Sequence, residues 1–462
     1  MDEDLLTALS DLLAKLVPDF QSLQSCEQLT AGASQETYRI DLNTQKGAQK
    51  LALRRAQPSA TQNSSLGGVS LGTEAKLLTL AVNAGIPGPK VLHVLQPEDK
   101  LGSGFIMQWL EGETLGQRIN RAEELQEVRP RLARQCGQIL GRIHGLDWSS
   151  AGLEGHLPCV DPKVLVEETW RHYRDLNVPV PMIDYSWRWL QTHPPEASRT
   201  TLVHGDFRNG NLMITPSGIR GVLDWELAHL GDPVRDLGWL CVNSWRFGHR
   251  DLPVGGFGHK EELLEGYAET SGETVDPDAL HFWQVFGSFW WSVVTLQMAQ
   301  TWRTGETPSL ERPVIGRRSS EAQMDCVNLL IPGDYHPPEP ISQNVGTQLP
   351  MPTELLDGVV EFLKRELAPQ LDAHNHFLAR VAANSLSITR RYLAQGPAAE
   401  RAEMARLQAL LDDGGDLDSL RWALVNRLRE GPALDTHELT DHLRQTVADQ
   451  LAIDQPTYSA LK

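Results

Sequence analysis

The rhythm of apolar and polar positions changes twice along this chain. Leu5, Leu6, Leu9, Leu12, Leu13 and Leu16 fall on one helical face, and Pro18 ends that pattern. From Cys26 to Leu42 two β-like runs flank a small-residue turn, and Leu51–Arg54 is a further strand that ends in a cation. A helix with Glu74 in its acidic first turn runs from Gly72 to Ala84 and stops at Gly85-Ile86-Pro87-Gly88-Pro89. Strands follow at Lys90–Leu95 and Gly104–Leu110. Beyond residue 110 helical spacing takes over. It covers Val128–Leu146, Val164–Leu176, Trp187–Thr192 (after a Pro-rich break at Asn177–Pro181), Lys260–Ser271, His281–Trp302 and Glu321–Leu330. Only Thr201–Leu240 returns to short apolar runs of strand type.

Ile331–Pro352 is Pro-rich, a linker composition. After it every amphipathic face is helical: Leu355–Leu367, Leu378–Leu393, Met404–Leu411, Leu417–Leu428 and Thr436–Leu451. These patterns predict an α+β chain. Residues 1–110 form a small β-rich lobe, 111–331 a mostly helical lobe, 332–352 a linker, and 353–462 an all-helical accessory domain for packing or assembly, with homodimerisation as one use. The aromatic run Phe282, Trp283, Phe286, Phe289, Trp290, Trp291 and Trp302 is read as core before it is read as a pocket.

Charge and cysteines narrow the class. With 42 Lys and Arg against 60 Asp and Glu, the net charge of −18 disfavours nucleic acid or an anionic membrane as partner. No run approaches the ~18 apolar residues that would cross a bilayer. Cys26, Cys136, Cys159, Cys241 and Cys326 are odd in number, scattered and free of C-x-x-C, which points to reduced thiols and a cytoplasmic protein.

The chemistry concentrates in Thr201–Leu240. An apolar run leads into His204-Gly205-Asp206, Asn211 follows, and a second run from Ile219 to Leu223 delivers Asp224. Polar residues that end short strands sit at loop mouths. Asp206, Asn211 and Asp224 can supply a carboxylate base and hard oxygen ligands, the set that phosphoryl transfer needs. H-x-D-x-x-x-x-N followed by a strand-borne Asp is the active-site order of kinases. Gly32, Ala33 and Ser34 would let a backbone loop approach a phosphate closely, although taken alone a bare β-turn is the better explanation of them. Arg54 on a strand and Glu74 on a helix suit a phosphate-holding ion pair, although such a pair is commonly a surface bridge of little weight.

Other motifs lose on context. Gly68-Val69-Ser70-Leu71-Gly72 spells a hydrolase nucleophile elbow, but a polar loop precedes it where a buried strand is required. His437-Glu438 and His442 are spaced i, i+5, which puts the imidazoles on different helix faces and argues against shared zinc; His374 and His376 have no better support. No G-x-x-x-x-G-K-[ST] occurs, so a P-loop is excluded.

With these residues in hand, residues 20–330 resemble the aminoglycoside phosphotransferase and choline kinase group of the protein-kinase-like superfamily. HGDFRNGN fits its HGDxxxxN, VLDWE its metal-binding segment, and Gly231-Asp232-Pro233 with Asp236-Leu237 its continuation. More narrowly, GVLDWELAHLGDP and LALRRAQP resemble the branch related to kinase domains associated with acyl-CoA dehydrogenases, and the C-terminal helices resemble uncharacterised domains that accompany such kinases. The resemblance implies a bilobal kinase-like fold that uses ATP and Mg2+. It implies that Asp206 orients the acceptor hydroxyl, that His204 and Asp236 brace the loop, and that Asn211 and Asp224 hold the metal. Arg54 would stand where the family usually has Lys, paired with Glu74. Gly32, Ala33, Ser34 and Gln35 would cover the phosphates, and adenine would meet the 108–110 hinge, from Gln108 to Leu110.

The resulting expectation is a kinase of small metabolites, with a hydroxyl acceptor that the branch resemblance suggests is a hydroxyacyl compound, in some cases a coenzyme A thioester. An aminoglycoside or amino alcohol is the alternative acceptor; a non-catalytic nucleotide-binding scaffold and an esterase using Ser70 are the alternatives outside kinases. Acceptor choice is expected from the helices between 160 and 192 and between 281 and 330.

Overall fold

The computed structural model describes residues 3–29, 35–56, 68–196, 199–306, 308–336, 349–431 and 436–461. The first lobe comprises α1 (Glu3–Leu16), β1 (Phe20–Gln28), β2 (Gln35–Thr44), β3 (Gly47–Ala56), α2 (Leu71–Asn83), β4 (Val91–Val94) and β5 (Gly104–Gln108). Its five strands form an antiparallel sheet in the order β1-β2-β3-β5-β4. Strand alternation divides the work of the two faces. Tyr38, Ile40 and Leu42 on β2 and Leu51 and Leu53 on β3 pack with Leu9, Leu12 and Leu13 of α1 in one buried cluster. Each such leucine contributes about 1.5–3 kcal/mol by leaving water. Arg54, out of phase with Leu51 and Leu53, meets Glu74 of α2.

The second lobe begins with α3 (Gly116–Arg121), α4 (Arg129–His144), α5 (Pro162–Asp175) and α6 (Pro181–Thr192). Two small antiparallel pairs follow. The first joins β6 (Thr201–Val203) to β9 (His229–Gly231), and the second joins β7 (Leu212–Thr215) to β8 (Gly218–Val222). The lobe closes with α7 (Val234–Leu240), α8 (Lys260–Ser271), α9 (Pro277–Arg303), α10 (Glu311–Arg317) and α11 (Ser319–Leu330). Phe282, Trp283, Phe286 and Phe289 of α9 are buried, while Trp302 at its end is half exposed, so most of the aromatic run is core.

After the Pro-rich stretch come α12 (Pro352–Glu361), a π-helical turn at Phe362–Leu367, α13 (Ala373–Leu411), α14 (Leu417–Glu430) and α15 (His437–Asp454). These helices fold back on the second lobe. Leu420, Leu424 and Leu428 of α14 and Leu443, Val447 and Leu451 of α15 belong to the same buried cluster as Phe286 and Val327. Arg429 of α14 places its guanidinium on Asp184 of α6, with Nε 2.8 Å from Oδ1. Leu355, Val359, Phe362, Phe377 and Leu393 remain exposed on the outer side.

Two of the departures from the local sequence pattern involve proline. Helix α6 begins at Pro181, six residues before the expected start, because a proline in the first helical turn loses no intrahelical hydrogen bond. Helix α13 runs 39 residues straight through Pro397, where the pattern predicts two helices. An interior proline forfeits one backbone bond and crowds the carbonyl four residues back. Packing on both sides of it, with Ala383 and Ile388 buried before and Leu407 after, keeps the two halves in line.

No helix among the described residues is long and apolar enough to cross a membrane. All five cysteines are free thiols.

Candidate active site

The two strand pairs deliver the motif residues to one place. Strand β6 ends one residue before His204, β7 starts immediately after Asn211, and β8 ends two residues before Asp224. The Leu223 amide donates to the Asn211 carbonyl at 2.8 Å, so Asn211 and Asp224 stand at adjoining ends of the β7–β8 hairpin. Gly205 between His204 and Asp206 has φ +83°, and a Cβ there would collide with the Leu227 carbonyl; only glycine permits this turn. Asp224 itself is left-handed, at φ +64°, a conformation that Asp tolerates better than most residues.

Three side chains hold the Asp206 carboxylate. Trp239 Nε1 donates to Oδ1 at 2.7 Å, Arg208 Nε to the same oxygen at 2.9 Å, and Asn211 Nδ2 to Oδ2 at 2.6 Å. Asn211 Nδ2 also donates to the Asp206 carbonyl at 2.9 Å, which leaves the amide oxygen as its remaining donor atom. The Arg208 guanidinium lies 4.4 Å from the centre of the Trp245 ring.

His204 is fully buried. Its Nε2 lies 3.1 Å from the Leu223 carbonyl and its Nδ1 accepts from the Asp206 amide at 3.2 Å, so both ring nitrogens brace the loop. Burial pushes its pKa below the ordinary histidine value. Asp236 accepts the amides of His204 and Gly205 at 2.8 and 2.9 Å and meets His144 Nε2 at 3.1 Å; His144 Nδ1 in turn lies 3.1 Å from the Tyr267 hydroxyl. Burial alone would raise the Asp236 pKa, but these partners overcome it and hold the carboxyl at about 2.

Across the cleft, Arg54 is shared among three carboxylates. Nε donates to Glu74 at 3.1 Å, and Nη2 lies 2.5 Å from Asp224 and 3.6 Å from Glu226. Burial opposes the charge on Arg54, but the three acids keep it protonated and raise its pKa. Glu74 is 1% exposed, and burial pushes its carboxyl up to about 7 against the pull of Arg54. The two shifts conflict if the pair is taken alone. They agree once Arg54 is divided among three acids, of which Glu74 lies deepest. Gln35 at the start of β2 donates to Glu226 at 3.3 Å.

The expected nucleotide residues are thus partly gathered. Arg54, Glu74 and Gln35 converge on Asp224 and Glu226. Gly32, Ala33 and Ser34 lie outside the described residues. Gln108 spends its amide on the Lys90 carbonyl at 2.8 Å, and Gln108 and Leu110 line a cavity with Leu51, Gly88 and Ile219. Arg208, Glu226, Trp239 and His144 had no assigned role from sequence. Arg208 and Glu226 lie inside the quoted motifs, where their proximity was the available signal. Trp239 and His144 reach the site only through the fold. Ser70 is the N-cap of α2, accepting the Thr73 amide at 3.2 Å. His442 is buried, while His437 is exposed and paired with Asp441.

An amide oxygen on Asn211 and a carboxylate on Asp224 are hard donors that fit Mg2+. That cation commonly takes one or two protein ligands and completes its shell with phosphate and water. Among the described residues there is no cluster of three or more His, Cys, Asp or Glu side chains that would build a closed metal cage.

Comparison with known proteins gives this geometry its context. Residues 25–272, more than half of the chain, match the model of a family described as the phosphotransferase enzyme family, and residues 369–458 match a domain of unknown function. Acyl-CoA dehydrogenase family member 10 of Mus musculus is 29% identical over 281 residues, covering 57% of this chain and 25% of that protein. Family member 11 of Gallus gallus is 29% identical over 291 residues, covering 57% of this chain and 35% of that protein. The chain therefore spans about a quarter to a third of the length of these curated relatives. A crystal structure of a candidate aminoglycoside phosphotransferase from Ralstonia eutropha JMP134 superposes with a TM-score of 0.56 at 23% identity, covering 69% of this chain and 96% of that one. It shares the bilobal, protein-kinase-like α+β fold.

Proposed function

This chain belongs to the phosphotransferase enzyme family, and from that membership we propose that it is an ATP- and Mg2+-dependent kinase of small hydroxyl metabolites. The observation that carries the reading is the Asp206 carboxylate, pinned by Trp239, Arg208 and Asn211 beside the adjoining Asn211 and Asp224. Three donors hold it aimed. That suits a loose phosphoryl-transfer transition state, in which the attacking hydroxyl must be oriented more than deprotonated early.

Asp206 accepts the hydroxyl hydrogen bond and finally its proton. Asn211 and Asp224 would hold Mg2+, which when bound neutralises phosphate charge. Arg54 holds the phosphates from the first lobe, with Glu74 keeping its guanidinium in place, and Gln35 at the start of β2 reaches Glu226 beside it. Arg54 also reaches an Asp224 oxygen, so one guanidinium can serve both the phosphates and the metal-binding carboxylate. His204 and Asp236 fix the loop as positioning residues, and the hinge from Gln108 to Leu110 borders the adenine.

The similarity to acyl-CoA dehydrogenase family members supports a hydroxyacyl compound, free or as a coenzyme A thioester, as acceptor. A screen of ATP consumption across hydroxyacyl-CoAs, amino alcohols, sugars and aminoglycosides tests this. We expect turnover with a hydroxyacyl compound, a loss of about 10²–10⁴-fold in kcat for Asp206→Asn, and loss of Mg2+-dependent ATP binding for Asp224→Ala. Turnover confined to amino alcohols or aminoglycosides would overturn the acceptor class. Absence of Mg2+-dependent ATP binding by the unmodified protein would overturn the kinase itself.

A further inference from the structure

The hydrogen bonds on Asp206 decide which of its oxygens is open to an acceptor. A carboxylate has roughly four acceptor positions, shared equally between its oxygens. Oδ1 already takes Trp239 Nε1 at 2.7 Å and Arg208 Nε at 2.9 Å, whereas Oδ2 takes only Asn211 Nδ2 at 2.6 Å. The acceptor hydroxyl therefore goes to Oδ2, on the side of Asn211 and Asp224, where phosphate and metal belong. In an in-line transfer the acceptor lies beyond the phosphorus from the leaving nucleotide. With its hydroxyl on Oδ2, its body extends away from Asn211 and Asp224, past the Oδ1 edge that Trp239 and Arg208 occupy.

Arg208 is built into that edge. Gly210 has φ +100°, and a Cβ there would come within 2.6 Å of Arg208 Nη1, so glycine gives the arginine room to fold back along the loop. Nη1 then donates to the Asn209 carbonyl at 2.9 Å, and the guanidinium lies 4.4 Å from the centre of the buried Trp245 ring. These bonds use Nε and Nη1; Nη2 has no partner among the described residues. The side chain is 26% exposed, so a ligand can reach it, and Asp206 is its one ion-pair partner among the described residues. Behind it the Trp245 and Trp239 rings lie 5.0 Å apart, with Trp290 5.2 Å from Trp239. A cationic acceptor would want an acid or a bare aromatic face at this edge. Arg208 covers the Trp245 face instead, and it repels a second cation. The chain as a whole carries −18, so this local cation runs against the overall charge.

We propose that Arg208 is the acceptor-recognition residue: Nη2 donates to an acyl oxygen, of a carboxylate or a thioester carbonyl, on the molecule that carries the hydroxyl, and the guanidinium turns away ammonium acceptors. The proposal rests on the phosphotransferase reading and adds to it a recognition element that favours acyl acceptors independently of any relative.

The test titrates 3-hydroxybutyrate, 3-hydroxybutyryl-CoA, 1,3-butanediol and choline by calorimetry into the full chain held with Mg2+ and a non-hydrolysable ATP analogue. The diol keeps the carbon skeleton and the hydroxyl but has no acyl oxygen, and choline joins a hydroxyl to a cation. The carboxylate and thioester arms distinguish the two sources of acyl oxygen. The unmodified chain is expected to bind at least one acyl probe about tenfold or more tighter than the diol or choline. Arg208→Gln should shrink that preference to within about threefold, and Arg208→Lys should keep part of it, since the charge remains. An arginine that only held Asp206 in place would weaken all four probes alike, so the ratio between probes is the readout. Mg2+–nucleotide affinity within about twofold of the parent checks that each variant keeps its cleft. No saturable binding of either acyl probe, or equal or preferred binding of the diol or choline by the unmodified chain, overturns the proposal without any variant. A preference that survives Arg208→Gln overturns it as well. Failure of the unmodified chain to bind Mg2+–nucleotide would instead sink the phosphotransferase reading.

Discussion

Glu74 and Asp184 are both buried carboxylates met by an arginine of another element, 20 and 245 residues away in the chain, yet their surroundings differ in kind. Asp184 has Arg429 to itself and also accepts Trp170 Nε1 at 2.9 Å and the Tyr173 hydroxyl at 3.0 Å. Glu74 must share Arg54 with Asp224 and Glu226, two partly exposed acids at the cleft. A carboxylate whose acceptor sites are filled by a private partner has no reason to rearrange, and it fastens the C-terminal helices to the second lobe. An arginine divided among three acids can be redistributed when phosphate arrives. The first arrangement serves docking; the second serves a binding cleft.

The largest effect expected from this contrast is on stability. Arg429→Ala strands Asp184 in the interior and should cost about 3–5 kcal/mol, read as a lowered denaturation midpoint. The double change Asp184→Leu with Arg429→Met should recover most of it, because removing both charges removes the stranded one. A loss below ~1 kcal/mol for Arg429→Ala would erase the contrast.

Arg54→Ala should cost less, about 1–3 kcal/mol, because Glu74 can escape its isolation by taking up a proton. Its larger effect should be at least about a tenfold loss of Mg2+–ATP affinity, since the phosphates lose their cation. If stability falls as far as in Arg429→Ala while nucleotide affinity is kept, the two pairs are the same kind of object.

A third measurement uses pH. The folded pKa of Glu74, about 7, lies above its ordinary 4.5, so the folded protein holds a proton that the unfolded chain has released. The contribution of Glu74 is therefore intact below about pH 4.5 and is lost as pH rises through about 7. Glu74→Gln should gain thermal midpoint relative to the parent over that window, and an unchanged difference would show that Arg54 already neutralises Glu74 in full. The smallest effect belongs to an exposed pair: Lys50→Ala, which removes the 2.7 Å bridge to the exposed Glu111, should change stability by about 0.5 kcal/mol or less.

Local pattern made a large share of the fold readable. Helix α8 has the bounds its spacing predicts, Lys260–Ser271, and β4 and β5 lie within the runs that predict them, while β1 starts at Phe20, six residues before the expected Cys26, and β3 spans Gly47–Ala56 around the expected Leu51–Arg54. The catalytic loop was legible because its parts are consecutive: His204, Asp206 and Asn211 lie between the end of β6 and the start of β7, and Asp224 follows the β7–β8 hairpin. Trp239 and His144 were not, since they meet Asp206 and Asp236 across 33 and 92 residues of chain. Pro397 misled for a related reason: helix propensity registers the cost of a proline but is blind to the packing that holds α13 together.

What the sequence determined by itself was the type and order of elements and the identity of the chemical groups. Periodicity, capping and turn chemistry act within a few residues, and a motif states its donors and carboxylates outright. What the tertiary structure alone decided was partnership. It divides Arg54 among three acids, gives Asp206 an indole and a guanidinium, and folds the C-terminal helices onto the second lobe so that Arg429 reaches Asp184. Those choices depend on which faces are buried against which, and burial is a property of the assembled chain: it sets whether a charge is screened by water or must be answered by a neighbour.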